Sequence, residues 1–189
     1  MKRVLFLLFG VLILAVSCQD NFVDPENDLS PIEKSAKFEK IKTFEVKGWT
    51  QIIPDETAPM FECMPVEAGV EMCSSGWLAG HLNILGKVVQ EESTYEKLYC
   101  ELMMTPEGPV IYNEVSAELQ FATGGHVSGF GFVWINTVTG EVTGYAEYVS
   151  GTGRFEGITG TTQVVNGKVL PDGGLYWDSE GEITLVLKD

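Results

Sequence analysis

The feature that most constrains the fold is an alternation of apolar and polar residues that recurs from Lys42 to the C-terminus. It is clear at Val115, Ala117, Leu119 and Phe121, which alternate with glutamate, serine and glutamine. A period of two places the apolar side chains on one face of a half-buried strand. Strands are therefore predicted near residues 42–52, 77–89, 95–104, 115–122, 127–136, 142–149, 161–169 and 175–187.

Short glycine-containing turns separate these segments. They include Thr139-Gly140, Asn166-Gly167 and the run from Pro171 to Gly174, and the chain contains 21 glycines in all. Turns of this kind connect antiparallel neighbours. Because closure of a sheet removes its exposed edges, we predict an all-β, antiparallel, eight-stranded barrel. Composition leaves a β-sandwich open as the alternative fold.

One glycine-rich segment, SGTGRFEGITG at residues 150–160, resembles a motif of the allene oxide cyclase-like and dirigent-like (calycin-type) β-barrels. The stretch from Gly80 to Val88 is similar to a second family segment, but has Asn83 and Ile84 where that pattern has threonine and histidine. The resemblance implies a barrel whose interior holds an apolar or aromatic small molecule. It carries over no catalytic residue to this chain.

The residues of that motif have structural explanations. Gly151, Gly153, Gly157 and Gly160 allow turns with positive φ angles. The side chain of Phe155 is expected to plug one end of the barrel, and that of Arg154 to satisfy carbonyl or carboxylate groups beside it. These are predicted to be turn-forming residues.

The N-terminus has the parts of a secretory signal. Lys2 and Arg3 precede an apolar run over 4–16, which is shorter than the roughly 20 residues needed to span a bilayer. The run ends in Ala15-Val16-Ser17-Cys18, which resembles the lipobox at which bacterial lipoproteins are cleaved and acylated. We expect an exported protein that is anchored by a lipid on Cys18 in the bacterial outer membrane, on its periplasmic or outer side.

Three regions follow from this interpretation. Residues 1–17 form the signal peptide, 18–42 an acidic tether, and 43–189 a single barrel domain. Ser30, Pro31 and Glu33 have the form of a helix N-terminus, which predicts a short helix near 31–39 within the tether.

The charge of the chain restricts its partners. Removal of Lys2 and Arg3 with the signal peptide takes two positive charges from a formal net charge of −15 and leaves −17. Nucleic acid binding depends on lysine and arginine displacing counterions from phosphates. A nucleic-acid partner is therefore not expected.

Three cysteines remain after lipidation. Cys63 and Cys73 are predicted to close a short disulfide loop in an oxidising compartment, and a pairing of Cys100 with either of them is the alternative. No CxxC pair is present, so a zinc site is disfavoured. Neither a metal nor a cofactor is expected.

The aromatic residues are the main candidates for ligand contacts. Phe130, Phe132 and Trp134 share one face of a strand, and together with Trp77 they are predicted to line an open lumen. His81 and His126 are the only histidines, and no nucleophile can be paired with either, so structural roles are preferred for both.

Three functional hypotheses remain. The leading one is a non-enzymatic module that binds an apolar small molecule or another surface protein. The alternative is an isomerase or cyclase that acts in the lumen on an apolar oxidised compound. The third is a structural or inhibitor-like domain with a filled core.

Overall fold

The computed structural model describes residues 40–187. The predicted signal peptide, Cys18 and the helix near 31–39 lie outside this range. The strands are β1 (Lys40–Pro54), β2 (Met60–Glu62), β3 (Glu71–Cys73), β4 (Ser75–Leu82), β5 (Gly86–Lys87), β6 (Thr94–Thr105), β7 (Gly108–Gln120), β8 (His126–Asn136), β9 (Glu141–Gly151), β10 (Thr159–Val169) and β11 (Leu175–Leu187). The helical segments are three-residue 3-10 turns at Val66–Ala68, Gln90–Glu92 and Gly153–Phe155. Within residues 40–187 no helix has the length and apolar character to cross a membrane.

The main sheet closes on itself. Its order is β1-β11-β10-β9-β8-β7-β6-β4-β5, and β1 also pairs with β4. Every pairing in the resulting ring of eight strands is antiparallel. The long β1 makes closure possible, because Lys40–Ile52 pairs with β11 while Gly48–Pro54 also pairs with β4. The predicted eight-stranded barrel is confirmed, and the sandwich is excluded.

Alternate residues of each strand point into the barrel and form one core. This core is mostly aliphatic, with a few inward aromatic rings, and its members include Val46, Leu78, Leu82, Val115, Leu119, Val127, Val133, Ile135, Tyr148, Trp177 and Ile183. Serine, threonine and glutamate dominate much of the outer surface. The predicted period of two is thus the period that separates inside from outside.

One end of the barrel is sealed by side chains. Phe155 is fully buried and packs edge-on against Phe121, with ring centroids 5.3 Å apart. Leu85 and Ile158 are also fully buried there. This end carries the turns after β4, β7 and β9. Phe155 therefore lies where the sequence placed it, at a barrel end.

The glycine-rich segment makes the turn that delivers Phe155. Gly153, Gly157 and Gly160 have φ angles of 62°, 76° and 147°. Gly151 does not have a positive φ; a Cβ there would instead overlap the carbonyl oxygen of Phe155. Arg154 is exposed, with its guanidinium carbon 5.3 Å from the centre of the Phe155 ring.

Two of the predicted strands have a boundary that differs by more than two residues from the observed one. The segment 77–89 is not one strand, because Asn83 ends β4: its Oδ1 accepts hydrogen bonds from the backbone N–H groups of Lys47 and Ile84. Gly86, with a φ of 103°, then reverses the chain into β5. Strand β7 begins at Gly108 instead of residue 115. The sequence pattern missed its first half because Tyr112, an aromatic residue that packs on Trp134, lies on the outer face and obscures the alternation of apolar and polar residues.

Candidate ligand pocket at one end of the barrel

A hairpin lies beside the other end of the barrel, where β1 ends and β11 begins. It consists of β2 and β3, and it is attached to β6 by two backbone hydrogen bonds, from Met64 N–H to the Cys100 carbonyl (2.9 Å) and from Leu102 N–H to the Met64 carbonyl (2.7 Å). These bonds bring Cys63 beside Cys100, with their Cα atoms 4.6 Å apart.

The disulfide joins Cys63 to Cys100, and Cys73 is a free, partly buried thiol. The predicted Cys63–Cys73 pairing is therefore wrong, and one of its alternatives is found. The hairpin register explains the difference, because Cys73 lies opposite Met60 while the Cys63 N–H bonds to the Val70 carbonyl. Docking of the hairpin on β6 therefore pairs Cys63 with Cys100 of β6 and not with Cys73 on the second strand of the hairpin.

The predicted lumen aromatics lie on the opposite face of the sheet. Phe130, Phe132 and Trp134 point outward from β8, and Phe130 is 38% exposed. Trp77 also points outward from β4 and is 36% exposed. The interior positions of β8 are glycine, valine and isoleucine. A Cβ at Gly129 would overlap the carbonyl oxygen of Glu147, so the curved wall leaves no room for large side chains there.

The middle of the lumen is nearly filled. The space that remains there is about 60 Å³, and it is bordered by Tyr148 and Trp177. An apolar cavity of about 150 Å³ is the scale that admits benzene. Polar groups within the lumen pair with each other, Thr50 with Ser179 at 3.0 Å and Tyr148 with Thr162 at 3.4 Å.

A larger pocket opens at the hairpin end of the barrel, with a volume of about 330 Å³. Its walls combine an apolar surface with a few polar groups and an acidic rim. The apolar residues are Ile52, Met60, Met72, Val115, Val133 and Leu175; the polar ones are Cys73, Tyr95, Lys97 and Asn113; the rim includes Glu56, Glu71 and Asp172. This size and composition are typical of small-molecule sites.

Lys97 supplies the cation of this pocket. Its Nζ donates a 2.6 Å hydrogen bond to Asn113 Oδ1 and lies 3.9 Å from Met72 Sδ. Burial lowers the pKa of the Lys97 ammonium to about 8, and the negative charge of a Cys73 thiolate would oppose the shift. No salt bridge to Lys97 is found among residues 40–187, and the oxygen that accepts its hydrogen bond belongs to the neutral amide of Asn113.

Asn113 contributes a hydrogen-bond donor that has no partner. Its side chain is 1% exposed, and its Nδ2 is buried without any acceptor. The amide cannot be reversed to correct this, because Lys97 would then face another donor. A buried donor without a partner is costly unless a ligand or water accepts from it.

Tyr95 and Cys73 complete the polar wall. Burial raises the pKa of the Tyr95 phenol to about 12, and the negative charges of Cys73 and Asp55 add to the effect. The phenol is thus neutral at physiological pH. The pocket therefore offers donors from lysine, asparagine and tyrosine, which suits a ligand with an oxygen acceptor on an apolar body.

The described part of the chain contains no group of three histidine, cysteine, aspartate or glutamate side chains arranged to hold a metal ion. The two histidines lie on the outer surface. His126 Nε2 is 2.7 Å from Glu118 Oε2, and His81 is opposite Trp49 on β1. Neither lines the pocket.

Sequence reasoning missed Lys97 and Asn113. One signal for Lys97 was available: it is two residues from Tyr95 and so shares its inward face, where a charged residue is unusual. Asn113 likewise has the same parity as Val115. The contact between the two side chains requires the register of β6 and β7.

The fold and site together define a closed antiparallel β-barrel with a ligand-sized pocket at one end. No protein-family model matches the chain, and no curated protein matches it in sequence. Among solved structures, the pterocarpan synthase dirigent protein GePTS1 aligns with a TM-score of 0.39 and 13% identity, over 80% of this chain and 88% of that chain. The synthase activity is that protein's, and the barrel described here rests on this chain's own strand pairing.

Proposed function

We propose that this chain is an exported, lipid-anchored binding protein whose barrel-end pocket holds a small molecule with an apolar body and one oxygen acceptor, such as a carbonyl or carboxylate. The observation that carries the proposal is the orphaned Nδ2 of Asn113 beside the unpaired ammonium of Lys97, in a pocket of about 330 Å³. The apolar wall would bury the body of the ligand and the two donors would fix its head.

A binding role is favoured over catalysis by the composition of the wall. Catalysis by acid and base needs a pair of groups that exchange protons near neutral pH. Lys97 and the Cys73 thiol line the pocket together, but the Lys97 ammonium donates to Asn113, and within residues 40–187 no hydrogen bond joins it to Cys73. The carboxylates of the pocket are at its rim. The alternative of an isomerase or cyclase in the lumen would need more room than the remaining 60 Å³ offers.

Native mass spectrometry of the full-length protein in detergent tests the proposal. We expect a co-purified small-molecule mass on the wild type that is lost in Lys97→Met and in Asn113→Asp, which replaces the free donor by an acceptor. Glu71→Gln at the rim is the matched control and should retain the mass. Retention in all variants, or a bare wild type, would contradict the proposal.

A further inference from the structure

An aromatic patch covers part of the outer surface of β6 to β9. Its rings form a continuous row of neighbours: Tyr99 and Tyr112 at 6.1 Å, Tyr112 and Trp134 at 5.0 Å, Trp134 and Tyr145 at 6.3 Å, and Tyr145 and Phe132 at 4.8 Å. All five are partly exposed. We call these five residues the aromatic face.

A groove adjoins the aromatic face at Trp134. It has a volume of about 380 Å³, and it lies between the β6–β7 and β8–β9 turns. Its apolar wall includes Met103, Val110 and Trp134, and two carboxylates, Glu107 and Glu141, line it as well. The groove therefore combines a flat indole surface with negative charge.

The strands of this region carry negative charge, and the cation on the adjoining strand β10 is Lys168, which is in register with Glu141 and lies over the Tyr176 ring. Residues 98–153 contain six glutamates and neither lysine nor arginine. Two of these glutamates contact the aromatic face, since Tyr99 donates to Glu101 (3.0 Å) and Tyr112 donates to Glu114 (2.6 Å). The phenol groups are thus held beside carboxylates while their rings remain partly open to solvent.

Some aromatic rings elsewhere on the barrel lie beside the chain's own cations. Lys42 lies 4.7 Å from the centre of the Phe44 ring, and Lys168 lies 5.4 Å from that of Tyr176. Within residues 40–187 no ring of the aromatic face has such a partner. Aromatic faces flanked by carboxylates attract cations by both the ring quadrupole and charge.

We propose that the aromatic face and its groove dock a lysine- or arginine-bearing segment of another protein, with a cationic side chain in the groove between Trp134, Glu107 and Glu141. Strands are about 4.8 Å apart, so a face across four strands is about 14 Å wide, which suits an extended segment better than one small ion. A second copy using the same face would place glutamates against glutamates. The proposal is independent of the barrel-end pocket.

The test uses the full-length protein in detergent and a short labelled peptide in which arginine alternates with serine. Fluorescence anisotropy should show binding of this peptide, and a matched peptide with citrulline in place of arginine should bind at least about tenfold more weakly. Glu107→Gln with Glu141→Gln should weaken arginine-peptide binding by about tenfold. Trp134→Leu changes no charge and should still weaken arginine-peptide binding, because it removes the indole surface from the groove.

The control removes the same number of charges from another part of the barrel. Glu180→Gln with Glu182→Gln, on the outer surface of β11, should change the affinity by less than about twofold. Equal losses in the two double variants would overturn the proposal, because binding would then depend only on net charge. Absence of peptide binding, or self-association that the Glu107 and Glu141 substitutions abolish, would also overturn it.

Discussion

The ammonium of Lys97 donates to Asn113 Oδ1 across 2.6 Å on the inner wall of the barrel. A lysine so placed is held by a neutral amide, with no carboxylate to compensate its charge. Burial of the cation costs free energy, and the same burial makes its hydrogen bonds stronger. The arrangement is therefore expected to lower the stability of the fold while it holds hydrogen-bond donors in place for a ligand.

The pH dependence of stability should reveal this cost. The pKa of Lys97 is lowered from 10.5 to about 8 in the folded protein, so between these values the unfolded chain binds more protons and stability rises with pH. Lys97→Met abolishes this gain. Denaturant unfolding should show that the free energy of unfolding of the wild type, relative to that of Lys97→Met, rises by on the order of 2 kcal/mol from pH 7 to pH 10.

Tyr95 supplies the internal check on that measurement. Its raised pKa of about 12 makes the folded protein less stable above pH 10, as the unfolded phenol ionises first. This loss is common to the wild type and Lys97→Met. A constant difference between the two proteins from pH 7 to pH 10 would contradict the assignment of a shifted lysine.

Replacement of both disulfide cysteines should destabilise the barrel. The bond links residues 37 positions apart, so Cys63→Ala with Cys100→Ala is expected to lower the free energy of unfolding by about 2–4 kcal/mol. Cys73→Ala should have little effect, since that thiol is free. Peptide mapping without reduction should recover Cys63 linked to Cys100; a Cys63–Cys73 peptide would refute the pairing.

Removal of the plug at the sealed end should be costly. Phe155→Ala deletes a fully buried ring that contacts Phe121, and a loss of about 3–5 kcal/mol is expected on unfolding. Phe155→Leu keeps most of the apolar volume and should recover a large part of the loss. If the alanine variant unfolds at the same denaturant concentration as the wild type, Phe155 does not seal the barrel.

Two neighbouring glycines of β8 should differ in their tolerance of alanine. A Cβ at Gly129 would meet the backbone carbonyl of Glu147, whereas at Gly131 it would meet the Cγ2 of Val115 at 3.0 Å. Backbone cannot yield as a side chain does, so Gly129→Ala should cost about 1–3 kcal/mol and Gly131→Ala less. Thermal unfolding of both variants measures the two losses of stability. A larger loss for Gly131→Ala than for Gly129→Ala would contradict this geometry of the barrel wall.

The strands and the barrel were predictable because their signals are local. Alternation such as that from Glu114 to Phe121 follows from the pleat of a strand, and glycine-containing turns follow from backbone sterics. The position of Phe155 at a barrel end was also expected from its glycine-rich segment. These features depend on residues close together in the chain.

The inward face of β8 was not predictable in the same way. A period of two shows that Phe130, Phe132 and Trp134 share a face, but both faces of this strand are apolar, so the pattern cannot say which one is inside. The curvature of the sheet decides which face of β8 points into the barrel. A wall that brings Gly129 against Glu147 accepts glycine and valine inside and leaves the large rings outside.

The sequence by itself determined that residues 43–187 would form short antiparallel strands joined by tight turns, because strand and turn propensities act over a few residues. Only the tertiary structure decided that Cys63 meets Cys100, that the rings of β8 face solvent, and that Lys97 and Asn113 share a pocket. Each of these depends on the register between strands and on the docking of the hairpin, which bring distant parts of the chain into contact.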